Sequence, residues 1–154
     1  GKSNSGKTTL LEKLIPELRR RGYRVATIKH HAHAGFEIDQ PGKDTWRHAQ
    51  AGSQVVVITA PEKLALIEQL DHELSLDEVA ARIDGVDIIL TEGWKLAGKP
   101  AIEVLRKARS QEPVGDPGHL IAFATDLPLE TDLPVFDLND IPAIARFIED
   151  QFLK

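Results

Sequence analysis

The residues best suited to chemistry come first: Gly1-Lys2-Ser3-Asn4-Ser5-Gly6-Lys7-Thr8-Thr9. Residues 1–8 fit G-x-x-x-x-G-K-[ST], the P-loop pattern, in which consecutive backbone N–H groups cradle a phosphate chain. The glycines allow the tight fold that turns those N–H groups inward. Lys7 is expected to reach the β/γ-phosphates and the Thr8 hydroxyl to ligate Mg²⁺. An amphipathic helix begins at once, with Leu10, Leu11, Leu14, Ile15 and Leu18 on one face. Its N-terminal end carries roughly half a positive unit charge and points at the same anion. That helix argues against the bland alternative of a disordered Gly/Ser-rich start. A loop of this kind needs a buried strand in front of it. Because Gly1 is the first residue and no Met occurs, strand residues upstream of Gly1 are expected.

The elements that must position these groups follow in order. The first helix is expected over 6–21, with Gly22 as its stop and a kink at Pro16. Tyr23 to Lys29 reads as a strand, so the opening is strand, phosphate loop, helix, strand, the start of a parallel α/β sheet. Lys43 to Ala51 reads as a short helix closed by Gly52. Gln54 to Thr59 and Leu64 to Gln69 flank a short Pro-containing link, which favours an antiparallel hairpin at a sheet edge, where it can pair with another subunit. The second run fits a helix start equally well. Ser75-Leu76-Asp77-Glu78 has the form of a capping box for a helix to about Ile83. Strands are expected at 86–90, 101–105, 120–124 and 134–136, and Asp140 should cap a last helix through Phe152 with Pro142 in its first turn. The Pro/Gly-rich segment 111–118 reads as a surface loop. The pattern predicts a single α/β domain over 1–154 with a three-layer P-loop NTPase fold, mainly parallel, with an antiparallel edge hairpin.

Ligands of open parallel sheets bind beyond the carboxyl ends of the strands. Asp87, early in its apolar run, should therefore be remote from the phosphates. Glu92, just past the run, is the candidate acid for holding Mg²⁺ directly or through water. The alternative is a strand-end carboxylate facing water. Trp94 is either core or a lid. Thr125 and Asp126 follow Leu120–Ala124, and Asp137 follows the last short strand. A carboxylate there can accept both N–H groups of guanine's edge. The usual guanine reader, N-K-x-D, is reduced here to Phe123-Ala124-Thr125-Asp126, so guanine over adenine is a lean, and a turn-forming Asp is the rival.

Residues 30–52 hold four of the six histidines. A His-rich metal site, a solvated loop with incidental histidines, and a functional loop beside the phosphates all compete for this stretch. The net charge of −5 argues against binding of duplex nucleic acid. No apolar run approaches the roughly 18 residues of a membrane span. Zero Cys excludes disulfides and thiolate metal sites and fits a reducing cytoplasm.

The segments GKSNSGKTTLLEKLIP, TIKHHAH, IDQPGKDTWRHAQAGS, ILTEGWK and IAFATDLPL together resemble the MobB family, the molybdopterin-guanine dinucleotide biosynthesis adaptors. The likeness spans nearly the whole sequence. It implies a GTP-binding cytoplasmic homodimer that assists the molybdenum cofactor guanylyltransferase, the enzyme joining GMP to molybdopterin, and that is itself a weak GTPase of the deviant P-loop class. In that class a lysine near the start of the loop acts across a dimer, and Lys2 occupies that position. The rest of the loop lacks the class's paired glycines. By resemblance, Asp39, Gly42, Lys43 and Asp44 fall on a switch-like segment and Glu92 on the acidic strand end.

Three functions remain open from the sequence. The first is a GTP-binding accessory protein with slow hydrolysis, in contact with a partner enzyme and with molybdopterin. Lys7, Thr8 and Glu92 would hold phosphates and Mg²⁺, Asp126 the base, and Asp39 or Asp44 would orient water. The second is a small-molecule P-loop kinase, for which Arg106 and Arg109 are the clustered lid candidates. The third is a nucleotide-binding module without turnover.

Overall fold

The computed structural model describes residues 1–33, 35–109 and 111–154. In order, the elements are α1 (Lys7–Arg20), β1 (Val25–Lys29), α2 (Asp44–Gln50), β2 (Val55–Ala60), β3 (Lys63–Glu68), α3 (Leu76–Ala80), β4 (Ile88–Glu92), β5 (Ala101–Leu105), β6 (Leu120–Thr125), β7 (Val135–Asp137) and α4 (Ile141–Phe152). Gly1–His30 with Ser75–Lys154 form one compact unit, and His31–Leu74 form a second.

In the first unit, the spacing of Leu10, Leu14 and Leu18 along α1 puts all three on the buried face. They pack with Val104 of β5, Ala124 of β6, and Ile144, Ala145 and Ile148 of α4. Each leucine removed from water in this way contributes roughly 1.5–3 kcal/mol. Pro16 lies inside α1 without ending it. The helix stops where Gly22 takes a φ of 99°. There Gly22 N–H donates to the Arg19 carbonyl at 3.0 Å and Tyr23 N–H to that of Leu18 at 3.2 Å, a Schellman closure. Across the core, Asp140 caps α4 by accepting from Ala143 N–H at 3.1 Å.

Two parallel ladders carry the site. β1 pairs with β4, placing Lys29 opposite Glu92. β5, β6 and β7 form the other. β4 and β5 both line an apolar cavity of about 540 Å³, walled by Ile88, Leu90, Ile102 and Val104 and by helix residues Leu14 and Ile144, with Gly1, Lys7 and Glu92 also on its lining. Glu92 is the last residue of β4 rather than a residue beyond it, and Asp137 likewise ends β7. Asp87 precedes β4 and is held at its entry end, its carboxylate accepting from Arg24 N–H at 2.7 Å and from the Arg24 guanidinium at 3.1 Å.

The Ser75 capping box forms: Glu78 N–H donates to the Ser75 hydroxyl at 3.3 Å and Ser75 N–H to Glu78 at 2.8 Å. α3 nonetheless ends at Ala80, three residues short of Ile83. Arg82 N–H turns to the Val79 carbonyl and Ile83 N–H to that of Ala80, the tighter three-residue spacing that closes a helix. The loop at 111–118 is pinned by a buried acid: Glu103, 2% exposed, accepts from Val114 N–H at 3.2 Å and Gly115 N–H at 3.0 Å.

The second unit pairs α2 with an antiparallel hairpin. The run at Leu64 is a strand, because Ala60 and Lys63 close the ladder across the two-residue link Pro61-Glu62. Val57 stands opposite Leu66 and Thr59 opposite Leu64. Strand alternation puts these on one face with Val55, and that face is apolar and open: Val57 is 48% exposed, Leu64 65% and Leu66 54%. Val56, on the opposite face, is buried. Ala34, within the 30–52 stretch, lies outside the described residues.

Candidate functional site

The loop at 1–8 has two left-handed residues, Asn4 at φ 62° and Gly6 at φ 97°. Asn4 is the non-glycine type that tolerates this region through its short polar side chain. The second turn hands the chain directly to α1. Gly6 is the N-cap and offers no side-chain oxygen, and the first turn of α1 contains no acid. The N–H groups that a Ser or Asp cap would occupy are therefore left for another acceptor, which is what an anion-binding helix start requires. Ser5 is fully buried, and its hydroxyl has no hydrogen-bond partner among the described residues.

Lys7 curls back over this loop, donating to the carbonyls of Gly1 at 2.9 Å and Lys2 at 2.6 Å. Burial pulls its pKa below the usual lysine value, against the attraction of Glu92, with Lys95 and Lys29 adding repulsion. Thr8 donates its hydroxyl to both oxygens of Glu92, at 3.0 and 3.2 Å. Lys29 pairs with the same carboxylate at 3.0 Å. Burial alone would raise the Glu92 pKa, but hydrogen bonds from Lys29 and Thr8, with the charges of Lys29 and Lys7, overcome it and hold the acid below its ordinary value. Glu92 stays ionised at neutral pH. A hydroxyl and a carboxylate in contact, both oxygen donors, suit a hard divalent cation that keeps most of its waters.

The turn after Glu92 is tight. Gly93 has a φ of 94°, and a Cβ there would meet the His30 carbonyl oxygen at 2.9 Å. His30 N–H in turn donates to the Glu92 carbonyl at 2.8 Å. Trp94, half-buried, packs against the His30 ring with 4.7 Å between centroids and the planes tilted by 36°.

On the other ladder, Asp126 follows β6 and is exposed. One of its oxygens accepts from Lys107 N–H at 2.6 Å, just beyond β5. That bond fixes the carboxylate and leaves acceptor capacity on both oxygens. Arg106, the preceding residue, lies against Gly6 of the loop. The contacts thus run from Glu92 through Thr8 and Gly6 to Arg106, Lys107 and Asp126, along one end of the unit. Thr125 is buried and caps the following turn by accepting from Leu127 N–H at 3.0 Å, and Asp137 accepts from Asn139 N–H at 2.7 Å.

Lys2 is exposed, as are Ser3, Asn4, Thr8 and Thr9. Asp39 and Asp44 belong to the second unit. Asp39 accepts from the N–H of its neighbour Gln40 at 2.8 Å, and Asp44 is the exposed first residue of α2. Among the described residues, no group of three or more His, Asp or Glu converges to hold a metal. In the histidine stretch, His31 instead sits 5.8 Å from His33 and from Phe36 between ring centroids. Of two cations beside the loop, sequence reasoning missed Lys29 and weighed Arg106 only as a lid candidate of the kinase alternative. Each stands at a strand's carboxyl end, and applying the strand-end rule to cations as well as acids would have found both.

A loop that leaves its helix start uncapped, set between parallel ladders with an acid at a strand tip, gives an α/β protein consistent with the P-loop NTPase type of fold. Residues 1–126 match the family model of molybdopterin guanine dinucleotide synthesis protein B, MobB. The chain belongs to this family. It is 42% identical over 152 residues to the molybdopterin-guanine dinucleotide biosynthesis adapter protein of Haemophilus influenzae, covering 97% of this chain and 85% of that one. It is 38% identical to the Escherichia coli adapter protein, covering 99% and 90%. Bacillus subtilis MobB superposes with a TM-score of 0.79 at 27% identity, covering 99% and 94%. No helix among the described residues is long and apolar enough to cross a membrane.

Because Glu92 holds the Lys7 pKa up against desolvation, Glu92→Gln should lower it further. NMR titration of the Lys7 Nζ in both proteins reads this directly. An unchanged or higher value would show that the two charges do not sense each other.

Proposed function

We propose that this protein is a GTP-binding adapter in the biosynthesis of molybdopterin guanine dinucleotide, with slow GTPase activity of its own. The observation that carries the nucleotide reading is the contact of Thr8 with Glu92 beside an uncapped helix start and Lys7. Family membership supports the biosynthetic role and a partner that joins GMP to molybdopterin.

In this reading the N–H groups of residues 1–8 and the positive end of α1 hold the α- and β-phosphates, and Lys7 leaves its two carbonyl acceptors for the β- and γ-phosphates. Thr8 and Glu92 would hold Mg²⁺, which neutralises phosphate charge when bound. Asp126 accepts the N–H groups of guanine's edge, a pairing that adenine does not offer. Asp39 and Asp44 are assigned the orientation of the attacking water.

Lys7→Ala should abolish GTP binding. Glu92→Gln should keep weak binding but lose the gain from Mg²⁺, and ATP should bind at least tenfold more weakly than GTP. Asp39→Asn and Asp44→Asn should slow phosphate release at unchanged affinity. Calorimetry with phosphate-release assays reads all of these. Equal affinity for GTP and ATP would remove Asp126 from its role, and GTP binding by Lys7→Ala would end the phosphate assignment.

The open hairpin face supports a homodimer, since contiguous apolar surface on β2 and β3 marks an association site. Light scattering should show a dimer that Leu66→Lys converts to a monomer. A monomeric parent protein would contradict the assignment.

A further inference from the structure

We infer that Arg106 is a nucleotide-binding residue, whose guanidinium grips the phosphate nearest the nucleoside. The inference rests on the nucleotide reading above and extends it to a residue outside the loop motif.

Arg106 immediately follows β5 and is half-buried. Its side chain lies over the loop: a Cβ built on Gly6 would sit 3.2 Å from Nη2 and 3.4 Å from Cζ of Arg106. Gly6 is the hinge between loop and helix, and its N–H belongs to the set that cradles the α/β-phosphates in this pattern. A cation placed there meets the inner part of the phosphate chain, whereas Lys7 and Glu92 attend its outer end. The position is also one residue from Lys107, whose N–H orients Asp126 at 2.6 Å. Arg106 therefore stands between the phosphate cup and the proposed base reader.

Its charge is unspent. Arg20 and Arg21 pair with Glu17, and Arg24 with Asp87. Arg106 makes no ion pair or side-chain hydrogen bond among the described residues. A half-buried guanidinium without a carboxylate carries a desolvation cost that a bidentate phosphate contact offsets. The guanine motif here lacks its lysine, Ala124 standing in that place. Arg106 supplies a cation to the same end of the unit from the neighbouring strand.

The test is titration of the full chain with GTP and GDP in Mg²⁺, comparing Arg106→Gln, Arg106→Lys and, as control, the exposed α4 variant Arg146→Gln. Loss of a charge-assisted contact predicts that Arg106→Gln weakens GTP and GDP alike by about 10- to 100-fold. Arg106→Lys should recover part of the loss, Arg146→Gln should bind as the parent does, and the melting temperature without nucleotide should stay unchanged. Affinities within twofold of the parent overturn the inference, as does a loss confined to GTP, which would place the contact at the outer phosphate. Weakened binding with an equally lowered nucleotide-free melting temperature would make Arg106 a structural prop. If the parent protein binds neither nucleotide, the underlying reading itself fails.

Discussion

The site depends on positive charge that the chain does not neutralise for itself. The loop ends in Gly6, which has no side chain to cap with; the first turn of α1 carries no acid; and among the described residues Lys7 donates to carbonyls of its own loop. In an ordinary helix a Ser or Asp would occupy those N–H groups and contribute roughly 0.5–2 kcal/mol of stability. That this protein does so elsewhere makes the omission informative. Ser75 caps α3 with a full reciprocal box, and Asp140 caps α4. α2 also starts without a side-chain cap but carries Asp44 in its first turn. Among the described residues, the helix start with neither cap nor first-turn acid is that of α1, beside Thr8 and Glu92.

Placing the acid is a task of the sheet. Glu92 ends β4 because its ladder partner Lys29 ends β1, and the pair brings opposite charges to the same strand tip. The turn that follows is fixed by Gly93, since a side chain there would collide with the His30 carbonyl. Ionisation of Glu92 is secured by its hydrogen bonds against a burial that opposes it. The packing of α1 and α4 over the β5–β7 ladder then holds the loop relative to Asp126 through the Gly6–Arg106 and Lys107–Asp126 contacts.

Much of this was legible in the residues. The leucine spacing of α1, the Gly22 stop, the capping box at Ser75 and the Asp140 cap are local signals, and the structure contains each where the local rule places it. The strand-end rule separated Asp87, held by Arg24 at the entry of β4, from Glu92 at its exit. What escaped was non-local. That Lys29 would face Glu92 depends on a register between strands 63 residues apart. That Arg106 would cover Gly6 depends on the direction of a long side chain from a strand whose ladder partner lies later in the chain. The end of α3 at Ala80 was missed because i→i+3 bonds closed the helix before Gly85, the residue that marks the stop in sequence.

The central claim is that the backbone of the first turn, with Lys7, receives a phosphate chain. Backbone amide NMR during a titration with Mg²⁺ and GTP addresses it most directly. The account predicts the largest, saturable shifts at the amides of Gly6, Lys7 and Thr8, with smaller ones at Glu92 and Asp126. Shifts concentrated in α3, α4 and β7, with the Gly6–Thr8 amides unmoved at saturation, would contradict it.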